Sequence, residues 1–599
     1  MLYCNQYSFF SRLEDETMWS DQQSVNFGKL CVLVFMSWPA AIVVAAPWLT
    51  RRFLGFSRAG LQGTEPFFSA GNYSRSERDF SGKTEQPVRE HGTPVPAFAL
   101  KEPFNPDIKD GVFAVFVFLL GFLFARWVLF YWQGWSVTIF AAGYLGAIAV
   151  YFRKKGVLIA GEGWFWLAVT LLTAVSYSLW SNHGLEPWRS LLLFSGAVYF
   201  VLSATGLLLV GKTSNFSGLD FLNGLLIIPF KNLDCQFKSF AFLGRKKRAK
   251  TSQFFSIALG IVLAFIIGGL VLPLLMEADS GGFARITDSV LRHFQRMRHE
   301  IAELFFHLMI GIPAAAYIFA LVAGCVHKRG CFTFRKDDLE RNVSSLRLLP
   351  AVTVYTLLGL VCGLYVGFIA SQLPYFFSAF AGERPVGWLV YAEYARRGFF
   401  ELCTIAAINL WLLAAANLFG KIQQRLSPVL KFFNVLLALL TLLLIATAFS
   451  KLALYIGAYG LSVQRLLPSV FLVFLAVICG GVIAMQKWQF SVVRLAAGTG
   501  AVMLCLLCLL NPDGFVARYN AERFLAGTLS TFDVEILYRG GPAGVEPALQ
   551  VYSRSTDPQL REQLEAYLNN QQIRAARYTA TPWDNFEKVR VRQKINPNP

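Results

Sequence analysis

The sequence predicts an all-α, polytopic transmembrane bundle of about 12 spans with a small C-terminal extracytoplasmic tail. Three observations carry that reading. Of 599 residues, 55% are hydrophobic and only 15% are charged, against roughly 45–50% and about 25% in soluble domains. The apolar residues gather into runs of about 20, the length a helix needs to cross a hydrocarbon core. Lys and Arg number 55 against 37 Asp and Glu, a net charge of +18, and much of that excess falls in alternate connections between the runs. A soluble multidomain enzyme, which length alone would suggest, is disfavoured.

Residues 1–29 are an N-terminal tail and 30–48 the first span. That run contains Pro39 and follows Glu14, Asp15, Glu16 and Asp21 rather than a basic stretch, so it reads as a retained anchor and not a signal peptide. An eleven-span version, with this segment peripheral, ranks next. Residues 49–111 are rich in Gly, Ser, Pro and charge and read as a disordered cytoplasmic linker. Spans two to six fill 112–276, at 112–131, 136–152, 163–181, 191–210 and 254–276, with an interfacial segment at 218–243 around Pro229 and Lys231. In 277–303, Phe283, Ile286, Val290, Phe294, Met297 and Ile301 recur at steps of three and four. That period marks an amphipathic helix at the outer interface. Residues 304–510 hold spans seven to twelve, at 304–325, 351–372, 398–419, 431–450, 467–485 and 490–510, and 511–599 form a soluble tail.

Basic residues orient these spans. They cluster at Arg51–Arg52, at Arg153–Lys155, at Arg245–Lys250, from Lys328 to Arg347, and at Lys421, Arg425 and Lys431. Each cluster follows an odd-numbered span, which puts these loops in the cytoplasm against anionic lipid and both termini outside. Gly244-Arg-Lys-Lys-Arg-Ala-Lys250 directly precedes an apolar run, so it reads as a topology anchor and not a nucleic-acid site. Cys31, Cys362, Cys403, Cys479, Cys505 and Cys508 lie within apolar runs and act as small hydrophobes. Cys325 and Cys331 flank a basic loop with no second Cys/His pair at zinc spacing.

The strongest polar constellation is Tyr391-Ala-Glu-Tyr-Ala-Arg-Arg-Gly-Phe-Phe-Glu-Leu402. On a helix Glu393, Arg397 and Glu401 share one face, Arg396 reaches Glu393, and Asn409 lies two turns beyond Glu401. A carboxylate entering an apolar run suggests a proton, ion or polar-substrate site; the competing reading is a charge cluster that seats the helix, with Tyr391 and Tyr394 as headgroup anchors. Gly457 and Gly460 then break the chain before Arg465. In Asn511-Pro512-Asp513, Asn511 suits an N-cap, Pro512 the first helical position and Asp513 the positive helix end. Capping leaves Arg518 and Asn520 without a structural role. His299, Glu303 and His307 stand at i, i+4 and i+8, a weak metal candidate lacking a fourth ligand. No P-loop, dinucleotide fingerprint or nucleophile elbow occurs, and no cofactor is expected.

The strings YAEYARRGFFEL, YGLSVQRLLPSVF and NPDGFVARYNAERF, in this order, resemble an uncharacterised bacterial family of multi-pass membrane proteins known only as a domain of unknown function. The likeness runs from about residue 250 to the C-terminus. Asp533-Val-Glu-Ile-Leu-Tyr538 and the late Trp583-Asp-Asn585 fit the pattern, whereas Gly544-Val-Glu-Pro547 departs from the family's Asp-Ala-Val-Pro-like stretch. The resemblance implies a bacterial cytoplasmic-membrane protein and brings no activity with it. Three functional classes follow: a transporter of an ion or polar solute using the outer Glu/Arg cluster, a membrane-embedded enzyme on a lipid-linked or envelope substrate, and a sensor or scaffold whose outer tail binds an envelope or membrane protein partner. Transport stands slightly ahead, since no catalytic pair is compelling.

Overall fold

Asp107 opens the first described helix, α1 (Ile108–Leu123), with a reciprocal cap in which Asp110 N–H donates to Asp107 and Asp107 N–H to Asp110, both at 2.9 Å. Two orphan donors of the first turn are thereby satisfied. In this computed structural model the backbone is described for residues 104–246, 282–329, 347–380, 391–420, 427–577 and 581–595. Side chains at 245–246, 282–302, 372–380, 391–400 and 577 lie outside the described set. The expected spans at 30–48 and 254–276, the N-terminal tail and nearly all of the linker also lie outside it.

Past α1 a π turn (Phe124–Val128) leads to α2 (Gly134–Lys155), α3 (Gly161–Leu179) and α4 (Glu186–Ala204). The segment expected to be interfacial is three short helices, α5 (Ser217–Leu222), α6 (Ile228–Asn232) and α7 (Asp234–Lys246), with a second π turn (Asn223–Ile227) between the first two. Then come α8 (Gly282–Val326), α9 (Ala351–Phe380), α10 (Tyr391–Phe419), α11 (Pro428–Tyr459), α12 (Val463–Met485) and α13 (Val492–Leu509). Nine helices among the described residues are long and apolar enough to cross a membrane, and they coincide with nine of the expected spans. α3 coincides with a tenth expected span. The described residues are helical without a strand, and the chain is a multi-pass membrane protein.

The amphipathic stretch expected before residue 304 and the span after it are one uninterrupted helix, α8, of 45 residues. At 1.5 Å per residue it is about 67 Å long, roughly twice a hydrocarbon core, so its N-terminal half extends beyond the apolar stretch Glu303–Val326.

Polar side chains inside the bundle tie helices together. Where α1 crosses α8, a Cβ on Gly121 would meet Gly311 O and Ala315, so the two backbones approach as only small residues allow. Tyr365 OH (α9) donates to Asn409 Oδ1 (α10) at 2.6 Å, and Asn409 Nδ2 donates to Thr441 Oγ1 (α11) at 3.0 Å. Asn417 and Asn434 exchange amide hydrogen bonds of 3.2 and 3.1 Å between α10 and α11. The described cysteines are buried free thiols.

At one end of the bundle, Lys155 Nζ lies 2.8 Å from Asp110, which also accepts from Tyr151 OH at 2.6 Å and meets His327 at 3.1 Å. This Lys155 end gathers the start of α1 and the ends of α2 and α8. The other end gathers the end of α1, the starts of α2 and α4, and the ends of α3 and α13.

The expected tail is a folded helical domain. α14 (Pro512–Leu525), α15 (Glu535–Gly540), α16 (Val545–Arg554) and α17 (Pro558–Arg577) are followed by α18 (Phe586–Ile595). They enclose a core of Ala517, Ala521, Leu537, Val545, Ala548, Val551, Leu564 and Tyr567, all at most 1% exposed. Hydropathy could not show this, because a small core of Ala, Val and Leu on short amphipathic helices reads as merely polar on average.

Candidate functional site

The start of α2 leaves backbone N–H groups without an intrahelical partner, as does the turn before α4, and the C-terminal domain supplies acceptors for both. Trp135 N–H donates to Asp584 O at 2.9 Å and Ser136 N–H to Pro582 O at 2.8 Å. Gly134 at φ +66° makes this approach possible, since a Cβ there would overlap the Trp583 backbone. Trp583 Nε1 donates to Trp127 O, a carbonyl near the end of α1, at 3.1 Å, and its ring lies 4.4 Å from that of Tyr131.

The approach to α4 is capped by carboxylates. Ser181 N–H donates to Glu587 Oε2 at 3.1 Å, and Asn511 Nδ2 donates to Glu587 Oε1 at 2.8 Å. Asp513 accepts from the backbone N–H groups of His183 and Gly184. Asn511 accepts from Gly514 N–H and Pro512 stands in the first turn of α14, the capping pattern expected from sequence. Asp513, expected to serve the positive end of its own helix, instead faces the His183–Gly184 turn before α4.

Arg189 lies beneath these acids, 1% exposed. Its guanidinium stacks 3.7 Å from the Tyr177 ring centre and donates to Trp180 O at 3.2 Å and Ser181 O at 3.0 Å, while Nε has no hydrogen-bond partner. Asn182 and Asn511 both hold positive φ, 43° and 50°, and Asn182 Nδ2 donates to Cys508 O at 2.8 Å. Such backbone strain persists only where surrounding contacts over-determine it. Gln133, Gly134, Trp180, Ser181, His183, Arg189, Asn585 and Lys588 line a narrow crevice here.

Burial pushes the Asp513 carboxyl up to about 6, with the Glu587 charge adding to the shift. Burial also raises Glu587, against the lowering effect of its Ser181 and Asn511 hydrogen bonds. The site therefore holds two proton-binding carboxyls above one fixed guanidinium charge, and it joins the C-terminal domain to the bundle.

The candidate polar-site and metal residues expected from sequence lie elsewhere. Glu393, Arg396 and Arg397 fall in the first turns of α10, with side chains outside the described set. Glu401 is exposed on α10 and interacts electrostatically with Lys451 of α11. Asn409 is fully buried between three helices. Arg465 donates to Tyr459 O at 2.9 Å and Gly460 O at 2.5 Å and lies over the Tyr455 ring, so it closes the end of α11. Asn520 accepts from Leu461 N–H and donates to Leu461 O, each at 2.7 Å, fixing the α11–α12 turn to α14. Arg518 is exposed on α14. His307 is 9% exposed beside Phe306, Glu303 is exposed, and the His299 side chain lies outside the described set. Among the described residues no group of three or more His, Cys, Asp or Glu could hold a metal ion.

Sequence reasoning did not find Ser181, Asn182, Arg189 or Glu587. Arg189 precedes its apolar run by two residues and resembled any interfacial cation, whereas Trp583-Asp-Asn585 was visible as a pattern and proves to be the docking element.

No curated protein and no solved structure matches the chain. A family match covers residues 139–550, beginning well before the motifs noticed in sequence and ending before Trp583. Those residues are most of the chain, and the protein belongs to the family defined by a domain of unknown function, DUF4153.

Proposed function

We propose that the protein is a multi-pass sensor or scaffold of the bacterial cytoplasmic membrane, with its C-terminal helical domain as the signal-receiving or partner-binding module. One observation supports this above all: the domain is held to the bundle by buried carboxyls, Glu587 and Asp513, capping the approach to a membrane helix. A contact made by partly desolvated acids responds to protons or to a competing partner, as a purely apolar contact would not. The basic connections support twelve spans, cytoplasmic loops against anionic lipid, and both termini on the outer side. Spin labels at exposed Arg590 and Leu191 test the reading in lipid. A distance distribution that broadens between pH 5 and pH 8 is expected; one narrow distribution throughout that range would refute a movable domain.

A second reading, transport of an ion or polar solute, draws on the Glu401–Lys451 interaction between α10 and α11, because ionisable groups at membrane depth mark ion paths. Glu401→Gln should abolish uptake into proteoliposomes if this pair carries it; unchanged uptake would leave the pair a structural role.

A further inference from the structure

At the Lys155 end, the loop from α4 to α5 is held by two carboxylates. Glu162 Oε2 accepts from Thr213 N–H and Thr213 Oγ1, both at 2.7 Å, and Glu162 Oε1 pairs with Arg494 at 2.7 Å. Asp220 Oδ1 accepts from Leu209 N–H at 2.7 Å. The two acids differ in what remains. Glu162 has a cation, whereas Asp220 is 1% exposed and its Oδ2 meets no hydrogen-bond donor.

Asn223 stands one turn further on the same helical face, i to i+3. It is 2% exposed, and neither Oδ1 nor Nδ2 has a partner. It also begins the π turn Asn223–Ile227, a distortion frequent at functional sites. Two neighbouring buried side chains thus present three polar atoms that the protein does not satisfy. An ionised carboxylate held this way is costly unless a positive charge meets it.

We propose that Asp220 and Asn223 form a binding site for a monovalent alkali cation, Na+ above all, with Asp220 Oδ2 and Asn223 Oδ1 as ligands. Hard oxygen donors suit such an ion. The single uncompensated carboxylate matches one positive charge, and a water on the ion would accept from Asn223 Nδ2. Burial lifts the Asp220 carboxyl to about 6, with Glu162 adding to it, so protons compete with the ion in mild acid. The site does not depend on the sensor reading, since it lies at the bundle end away from the C-terminal domain.

The test is thermal unfolding of the full-length protein in nanodiscs at pH 8, with NaCl replaced stepwise by choline chloride at constant ionic strength. A saturable Na+-dependent rise in Tm is expected for the wild type. Asp220→Asn should lose it, and Asn223→Ala should need at least about tenfold more Na+ for the same rise. Equal wild-type Tm in the two salts would overturn the site, leaving a proton or water to satisfy Asp220. A rise unchanged in both variants would overturn it too, placing the ion elsewhere. If Asp220→Asn fails to fold, Asn223→Ala carries the assignment, and a flat wild-type series overturns the site without either variant.

Discussion

Ser181 N–H donates to Glu587 Oε2 at 3.1 Å across 406 residues of sequence. The bond couples the turn before α4 to the last described helix. Glu587→Ala would leave Ser181 N–H and Asn511 Nδ2 without their acceptor, at about 1–3 kcal/mol for a buried orphaned group. The Trp583–Ile595 segment should become protease-sensitive while the bundle stays intact, which digestion followed by mass spectrometry would show.

The pH dependence has a definite sign. Burial in the folded protein raises the Asp513 carboxyl from 3.8 to about 6, while the bundle's His183, Gly184 and Arg189 pull it down, so the folded state binds the proton more tightly. The stability it contributes is fully present below about pH 4 and is lost as pH rises through about 6, a change of about 3 kcal/mol. This contribution should be larger at pH 4.5 than at pH 7.5. Asp513→Asn should flatten that dependence in part, with the raised Glu587 carboxyl supplying the remainder. Melting temperatures at the two pH values check both statements.

A glycine pair separates backbone cost from docking. Gly134 and Gly156 both hold positive φ, +66° and +72°, but only at Gly134 would a Cβ overlap the Trp583 backbone. Gly156→Ala should cost about 1 kcal/mol of conformational strain. Gly134→Ala should cost more and expose Trp583. Indole emission shifting red in Gly134→Ala and not in Gly156→Ala is the expected result.

Asn409 offers a test of polar contacts as glue. Asn409→Leu removes its bonds to Tyr365 and Thr441, and such interhelical bonds are worth about 0.6 kcal/mol on average and up to about 1.7. A small fall in Tm with unchanged membrane yield is expected. A wild-type Tm would deny the glue role.

Most membrane helices were legible because a run of about 20 apolar residues suits a bilayer crossing and little else. The docking site was not, because it is made by pairs such as Ser181 and Glu587, and no local pattern encodes a contact over that separation. Asn511-Pro512-Asp513 shows where the boundary falls. The cap by Asn511 follows from three adjacent letters, whereas the turn of Asp513 toward His183 and Gly184 depends on where another helix begins. The Glu/Arg stripe was prominent because charge is rare in this chain, and rarity locates a residue without giving its partner. Arg465 illustrates this: its guanidinium holds the Tyr459 and Gly460 carbonyls.

The capping of α2 and the α4 approach by Pro582, Asp584 and Glu587 sets an order of events during synthesis. Ser181 leaves the ribosome 406 residues before its acceptor, a wait of roughly 20–80 s at about 5–20 residues per second. Throughout that interval Ser181 N–H and the first N–H groups of α2 lack these acceptors, although Asp513, made earlier, can already reach His183 and Gly184. A ribosome stalled before residue 582 would leave a chain that has inserted its helices yet carries an open end, ready for a membrane protease to distinguish from the finished product.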